Sequence, residues 1–207
     1  FSTLIDYNYL NPADAYPFTP LNDETMYYAV SGPLLIYPYY YAKIDTLLYA
    51  QYDSNDLRKA IFFTDDGTGY QTFKGSYAAY DGLFSGIATD EILLNKAECE
   101  ARRGQTSSAM ATLNGLLIKR YKAGSFIPLS AQTANDALQI ILRERRKELV
   151  MRRNRWMDIK RLNEEGANIT LTRLIGGKQY TLQPNDNRYA LPLPSDIVNN
   201  KVPQNKY

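Results

Sequence analysis

The sequence predicts a mainly α-helical fold, in which tetratricopeptide-like helical pairs are combined with long irregular loops and a small C-terminal β-hairpin. Apolar residues recur with a period near 3.6 between residues 89 and 165. Five prolines interrupt residues 1–41, and proline breaks helices. Two glycines near position 176 separate two short runs typical of strands. We therefore expect a loop-rich, ligand-side region over residues 1–88, a helical scaffold over 89–165, and a hairpin with an extended tail over 166–207.

The first region is predicted to consist of loops with short elements. Asp45 is a suitable N-cap for a short helix, and residues 53–56 form a polar turn. The run Ile61–Phe63 predicts a short strand or extended segment before the turn Asp65–Gly69. Carboxylates in that turn could hold calcium, but the distal Glu of a calcium loop is missing, and an ordinary Asp-Gly turn explains the same residues.

The scaffold is predicted to begin with two helices joined by a short loop. The first starts at Thr89 or Asp90 and stops at Gly104, and the second runs from Thr106 or Ser107 to about Tyr121. This pair is typical of a helical hairpin.

Small residues in this pair predict a close approach of the two helices. Ala97 and Ala109 occupy places where a tetratricopeptide-like pair has small residues, and Leu113 would fill the next groove. Any antiparallel helix pair also needs small residues where it crosses. A single copy therefore leaves both alternatives open.

The longest helix is predicted to start at Ser130 or Thr133 and to continue through the charged run 143–149. We expect that run to form ion pairs on an exposed face, each contributing a few tenths of a kcal/mol. Asn154 ends or bends this helix, and a further segment covers residues 156–162.

The tail is predicted to begin with a β-hairpin. Its strands are Ile169–Leu174 and Gln179–Leu182, on either side of Gly176-Gly177. Adjacent glycines favour the tight turns that close two-residue hairpins.

Composition excludes several function classes. The 24 Lys and Arg against 22 Asp and Glu give a formal charge of +2, which argues against nucleic acid as a partner. Histidine is absent, which removes the usual general base and the commonest metal ligand. We predict no catalytic residue, no metal site and no cofactor. No apolar run is long enough to cross a bilayer.

Four collinear blocks of residues resemble the SusD/RagB family. Glu144–Leu149 together with Arg155–Arg161 resembles the family pattern ER..EL..EG.RW.DLKR. The other blocks are Asn55–Arg58 with Phe62 or Phe63 (NDLR...F), Asp90–Asn114 (AE.YLL.AEA..R.G....A...LN) and Tyr189–Tyr207 (Y.LPIP..EI..N...QNPGY). The chain departs from the family where Arg153-Asn154 replaces the common Glu-Gly and where Lys206 replaces the closing Pro-Gly.

The resemblance implies a mostly helical binding protein that breaks no bonds. Family members are lipid-anchored at the outer-membrane surface of Bacteroidetes-type bacteria, and they assist a SusC-like TonB-dependent transporter that imports glycans or, in some relatives, peptides. Full-length members are about twice as long as this chain, whose length is typical of a single domain. We therefore expect the chain to be the C-terminal half of such a protein. The lipid-bearing cysteine would lie in the N-terminal half. Cys99 is expected to be a small buried residue.

The signature residues are expected to build the scaffold. They are Arg145, Glu148, Arg155, Trp156, Asp158 and Arg161. We expect Trp156 to bury its ring against the preceding helix. Arg155 is expected to pair with Asp158, and Arg145 with Glu148, one helical turn away in each case.

Exposed tyrosines on loops are the predicted ligand contacts, because a flat apolar face with a hydroxyl suits a sugar ring. The candidates are Tyr16, Tyr37, Tyr39, Tyr41 and Tyr70, with Tyr7, Tyr9 and Tyr80 on the same loops. In an extended run Tyr40 would project opposite to Tyr39 and Tyr41, so one of these sets is expected to be core.

The predicted function is binding of glycans for a TonB-dependent transporter. Three alternatives stay open at this stage. They are a peptide-binding uptake lipoprotein of the RagB type, a helical-repeat scaffold for protein partners, and a glycoside hydrolase. The last would need two cooperating carboxylates, and no spacing in the sequence singles out such a pair.

Overall fold

A computed structural model of the protein describes residues 3–31, 42–199 and 201–205. The chain divides into two compact units, Phe1–Arg153 and Asn154–Tyr207. The described residues contain seven α-helices and eight short strands, so the mainly α-helical prediction is confirmed. The helices are α1 (Thr46–Tyr49), α2 (Arg58–Phe62), α3 (Thr89–Arg102), α4 (Thr106–Leu117), α5 (Ala134–Glu148), α6 (Arg155–Glu164) and α7 (Ser195–Asn199). The strands are β1 (Thr25–Tyr27), β2 (Val30–Ser31), β3 (Phe63–Asp65), β4 (Gln71–Phe73), β5 (Leu83–Phe84), β6 (Ile87–Ala88), β7 (Leu171–Ile175) and β8 (Lys178–Leu182).

The strands form four two-stranded antiparallel sheets among the described residues: β1–β6, β2–β5, β3–β4 and β7–β8. Strands β1 and β2 correct the prediction of loops over the first residues. In the register, Thr25 lies opposite Ala88 and Val30 opposite Phe84. Strands of two or three residues carry no readable period, and their partners lie far along the chain, so local patterns could not reveal them.

The segment around Ile61–Phe63 is partly corrected. Ile61 and Phe62 close α2, and the strand β3 starts only at Phe63. Strands β3 and β4 flank the turn that was predicted at Asp65–Gly69. The short helix after Asp45 is confirmed, since the Asp45 side chain accepts a hydrogen bond from the Leu47 N–H at 2.9 Å.

The core of the first unit has two parts, of which the first is aromatic. Its buried members include Tyr7, Phe18, Tyr52, Phe62, Phe63, Phe73, Tyr77 and Phe84. Neighbouring rings meet mostly edge to face, as for Tyr7 and Phe62 at 5.9 Å between centroids. Tyr7 was expected among exposed ligand-side tyrosines, and that expectation is wrong because only 1% of its surface is accessible.

The second part of the core lies between α3, α4 and α5. Ala97, Ala109 and Leu113 are all buried in it, which confirms the close packing predicted for the helix pair. A repeated tetratricopeptide-like arrangement stays a prediction. Helix α4 ends at Leu117, earlier than predicted. Cys99 is exposed rather than buried, because it lies on the side of α3 away from Ala97.

Helix α5 begins directly after Thr133, one of the two predicted starting points, and the structure adds a capping box there. The Thr133 hydroxyl accepts from the Asp136 N–H at 3.1 Å, and the Asp136 carboxylate accepts from the Thr133 N–H at 3.1 Å. The end of α5 contradicts the prediction of an exposed ion-pair face. Glu144, Lys147 and Glu148 have at most 4% of their surface exposed.

The buried charges of α5 pair with residues far away in the sequence. Glu148 accepts from Arg120 Nε at 2.6 Å and from Arg58 Nη1 at 2.9 Å, so the predicted pair between Glu148 and Arg145 is wrong. Arg145 donates instead to Asn95 Oδ1 at 2.8 Å. Within the charged run, Lys147 does donate to Glu144 at 3.1 Å, but this pair lies inside the protein.

This buried charge network contains more carboxylates than cations. Its members among the described residues are Glu24, Asp56, Glu144 and Glu148 against Arg58, Arg120 and Lys147. Burial raises the pKa of Glu24 above its usual 4.5, although Arg120 opposes that shift. Burial alone would also raise the pKa of Asp56, but Arg58 and Lys147 outweigh it and hold the pKa below 3.8.

The second unit is built on α6 and the β7–β8 hairpin. Hairpin residues Gly176 and Gly177 have φ of +55° and +77°, which suits the tight turn predicted there. Asn163 ties α6 to the next segment, because its amide donates to Ile169 O at 3.0 Å and accepts from Ile169 N at 2.6 Å. Asp158 accepts from Arg161 Nε at 3.0 Å.

Trp156 corrects the expectation of a buried ring. It keeps 38% of its surface exposed, and its ring contacts Tyr189 at 4.8 Å between centroids. In the described part of the chain, no helix combines the length and apolar character that a membrane span requires.

Candidate functional site

A cleft in the first unit brings an exposed tyrosine and a carboxylate together. The space it encloses is about 20 Å³, room for about one water molecule, so a ligand would lie against its lining. Side chains that line it include Phe73, Lys74, Ser76, Tyr80, Asp81 and Met151. We call it the Tyr80 cleft.

The loop that carries Tyr80 and Asp81 is held by Ser76. The Ser76 hydroxyl donates to Gly82 O at 2.7 Å and accepts from Phe84 N at 3.1 Å and Ala78 N at 3.2 Å. Three bonds from one buried hydroxyl close residues 76–84 into a compact loop. A loop closed on itself holds its exposed side chains in defined positions.

Gly82 lets the Tyr80 ring lie against this loop. A Cβ at Gly82 would fall 2.7 Å from two atoms of the Tyr80 ring and 2.5 Å from Val30 Cγ1. Tyr80 nevertheless keeps 47% of its surface exposed. One edge of the ring is therefore supported by backbone while its remaining surface is open to a ligand.

Two contacts join residues 12–16 to the lining of the Tyr80 cleft. The Tyr16 hydroxyl donates to Asp81 Oδ1. The ammonium of Lys74 donates to Pro12 O and to Asp14 O. Burial lowers the pKa of Lys74, and Asp14 opposes this.

The side chains around the Tyr80 cleft suit recognition of hydroxyl groups. Asp81 Oδ2 has no hydrogen-bond partner among the described residues, whereas Oδ1 is held by Tyr16. A carboxylate oxygen fixed beside an exposed aromatic ring can accept from a hydroxyl while the ring covers an apolar face.

The predicted ligand tyrosines do not all lie at the Tyr80 cleft. Tyr16 reaches the Tyr80 cleft through Asp81, and the loop of Tyr80 forms the cleft itself. Tyr70 is 49% exposed, but it lies on the β3–β4 turn and does not line the cleft. Tyr37, Tyr39 and Tyr41 lie outside the described residues.

Sequence reasoning missed Asp81. An exposed Asp in a loop has no local signal of its own, because its role depends on Tyr16, which lies 65 positions earlier in the chain. The Tyr80-Asp81-Gly82 triplet is the nearest sequence signal, since a glycine beside an aromatic ring allows close packing.

The turn considered for calcium is closed by internal bonds. Asp66 accepts from Lys43 and from Thr68, and these bonds lower its pKa. Across the described ranges, no group of three or more His, Cys, Asp or Glu side chains is arranged to hold a metal ion.

Comparison with known proteins shows which family and which solved structures the chain is similar to. A sequence model of the SusD family matches residues 89–206. The structure resembles a protein proposed to bind sugar, from Bacteroides vulgatus ATCC 8482, with a TM-score of 0.54 and 22% identity over 77% of this chain and 37% of that one. A SusD-like carbohydrate binding protein from the same strain gives a TM-score of 0.51 and 20% identity over 77% of this chain and 40% of the other. A SusD superfamily protein from Bacteroides fragilis gives a TM-score of 0.52 and 20% identity over 73% of this chain and 34% of the other.

The chain thus spans well under half the length of these three proteins. At such low identity the likeness concerns the fold alone. No curated protein shows a significant match to the chain.

Proposed function

Since the chain belongs to the SusD family, we propose that it binds glycans at the outer surface of the outer membrane and delivers them to a SusC-like TonB-dependent transporter. The observation that carries the proposal is the Tyr80 cleft. There an exposed aromatic ring, a carboxylate with one free oxygen and a rigid loop lie within one unit. Sugars present both an apolar ring face and hydroxyls, so they match this pair of groups.

Binding without turnover fits the groups in the cleft. Asp81 is the one carboxylate among its described lining residues. Glycoside hydrolysis commonly needs two carboxyl groups on opposite sides of the scissile bond. A cleft with a single carboxylate supports capture of an intact glycan.

Membership of the SusD family supports the surface location and the delivery step. A binding protein of this kind would be held at the membrane by a lipid anchor and would release its glycan into the transporter barrel. Cross-linking in outer membranes followed by identification of the partner tests this part. Recovery of a TonB-dependent barrel supports delivery, and its consistent absence argues against it.

Calorimetric titration with a panel of neutral and acidic oligosaccharides tests the binding itself. We expect at least one glycan to bind, and Tyr80→Ala to weaken its binding about tenfold, which corresponds to 1.4 kcal/mol. Tyr9→Ala is the matched control, because Tyr9 is 89% exposed and does not line the cleft.

Each other outcome points to a different function. If short peptides bind and no glycan of the panel does, peptide uptake would replace the proposed function. Release of new reducing ends from a bound glycan would show hydrolysis. Glycan binding that Tyr80→Ala leaves unchanged would place the site elsewhere on the chain.

A further inference from the structure

A second cleft lies in the other unit, between α6 and residues 185–190. It has a volume of about 260 Å³. Its polar lining includes Lys160, Glu164, Asn185, Asp186, Asn187 and Tyr189. We call it the asparagine cleft.

Tyr189 gives this cleft an unusual feature. The residue is only 6% exposed, yet its buried hydroxyl has no hydrogen-bond partner among the described residues. Its ring is held by contact with Trp156. A buried hydroxyl without a partner is unfavourable, so its presence in a native fold calls for an explanation such as a functional role.

Internal bonds hold part of the lining in place. The Asp186 carboxylate accepts from Arg188 Nε at 2.9 Å and from Arg188 Nη2 at 2.8 Å, which neutralises its charge locally. Asn185 has a positive φ of 58°, and its amide donates to Asn163 O at 3.3 Å. These hydrogen bonds therefore fix the positions of Asn185 and Asp186 in the lining of the cleft.

Other lining groups are available for a ligand. Within the described ranges, the side chains of Lys160, Glu164 and Asn187 make no hydrogen bond or ion pair. Lys160 and Glu164 carry opposite charges, and Asp186 is neutralised by Arg188. The cleft thus offers donors and acceptors without a net charge, and this combination fits a neutral ligand with many hydroxyls.

We infer that the asparagine cleft is a second carbohydrate-binding site, which takes a neutral saccharide through Asn187, Lys160, Glu164 and the Tyr189 hydroxyl. The choice of ligand class rests on the proposed function. A second site in a separate unit would let one chain hold a longer glycan at two places, which raises the overall affinity when both sites can be reached together.

NMR titration of the Tyr80→Ala variant tests this inference with the first cleft disabled. The probes are maltose, cellobiose, laminaribiose and xylobiose at millimolar concentrations, with trialanine as a peptide. We expect at least one disaccharide to shift the side-chain amide signals of Asn185 and Asn187 in a saturable manner. The amide signal of Asn114, which lies in the first unit, serves as the internal control.

Tyr189→Phe separates a binding role from a structural one. It keeps the ring against Trp156 and removes only the hydroxyl. We expect disaccharide binding to weaken about threefold to tenfold, while the thermal unfolding temperature stays the same or rises because an unpaired buried group is lost. Asn187→Ala is expected to weaken binding without changing that temperature.

Two results would overturn the inference. One is the absence of any saturable shift at Asn185 and Asn187 with all four disaccharides, and the other is a shift with trialanine alone. Neither result bears on the Tyr80 cleft, which is judged by wild-type titrations. Loss of glycan binding in Tyr80→Ala calorimetry with intact shifts at the asparagine cleft would support both sites separately.

Discussion

The side chains of Arg120 and Glu148 form a fully buried ion pair, in which Arg120 Nε donates to Glu148 Oε1 at 2.6 Å and neither side chain has any exposed surface. Glu148 also holds Arg58 at 2.9 Å, so one carboxylate compensates two guanidinium groups. Arg120 in turn binds Glu24 at 2.9 Å. These bonds connect α5 to α2, to the segment after α4 and to the residues before β1.

Replacing Glu148 should destabilise the protein strongly. Glu148→Gln removes the charge that compensates Arg58 and Arg120, and breaking a buried pair costs about 3–5 kcal/mol. Urea unfolding measures the effect. Glu164→Gln is the matched control, because Glu164 is exposed, and a loss below about 1 kcal/mol in Glu148→Gln would contradict the role assigned to this pair.

Stability should fall in acid partly through Asp56. Its pKa in the folded protein lies below 3.8, so the unfolded chain takes up the proton first as the pH drops. The stabilisation from ionised Asp56 is therefore complete above the pKa of the unfolded chain, near 3.8. It is lost as the pH falls from there through the lower pKa of the folded protein.

The variant Asp56→Asn tests this dependence. We expect its free energy of unfolding to decline less steeply with falling pH than that of the wild type, in urea titrations at a series of acidic pH values. Exposed Asp23→Asn should keep the wild-type slope. Equal slopes in all three proteins would show that Asp56 does not carry the effect.

Gly82→Ala should disturb the Tyr80 cleft. The added Cβ would meet the Tyr80 ring at 2.7 Å and Val30 at 2.5 Å, so the ring must move. We expect glycan binding to weaken about as much as in Tyr80→Ala. Gly115→Ala is the control, since its Cβ would meet nothing within 4 Å and should stabilise α4 by roughly 0.5–1 kcal/mol. Unchanged glycan binding in Gly82→Ala would show that the Tyr80 ring is not part of the binding site.

The crossing of α3 and α4 should tolerate no larger residue at Ala109. Ala109 has no exposed surface, and overpacking a core of this kind costs about 1–3 kcal/mol. Ala109→Leu should therefore lower the free energy of unfolding by that amount in chemical denaturation. Ala111→Leu, at an exposed position of the same helix, should change it by less than about 0.5 kcal/mol.

Much of the helical scaffold could be predicted from the sequence because its signals are local. Gly104 ends α3 with a φ of +78°, and Thr133 starts α5 through a capping box with Asp136, three positions later. The glycine pair at 176 and 177 closes the β7–β8 hairpin. Each of these signals acts between residues a few positions apart, where backbone geometry leaves few alternatives.

The candidate site was predicted only in part. Tyr16 and the loop of Tyr80 were expected to carry ligand contacts, and the structure brings them to one cleft. Asp81 was not expected, since an acidic residue in a loop has no pattern that distinguishes it from other surface carboxylates. Tyr70 has the same exposed character as Tyr80 but lies elsewhere.

The sequence by itself determined the family, the helix pair, the Asp45 cap and the hairpin of this protein, because these depend on residue order over short distances. Only the tertiary structure decided which charges are buried and which loops meet. Arg58 pairs with Glu148 across 90 positions, and Tyr16 reaches Asp81 across 65. A helical charge pattern looks the same on an exposed face and on a buried one, since burial depends on the partner that packs against it.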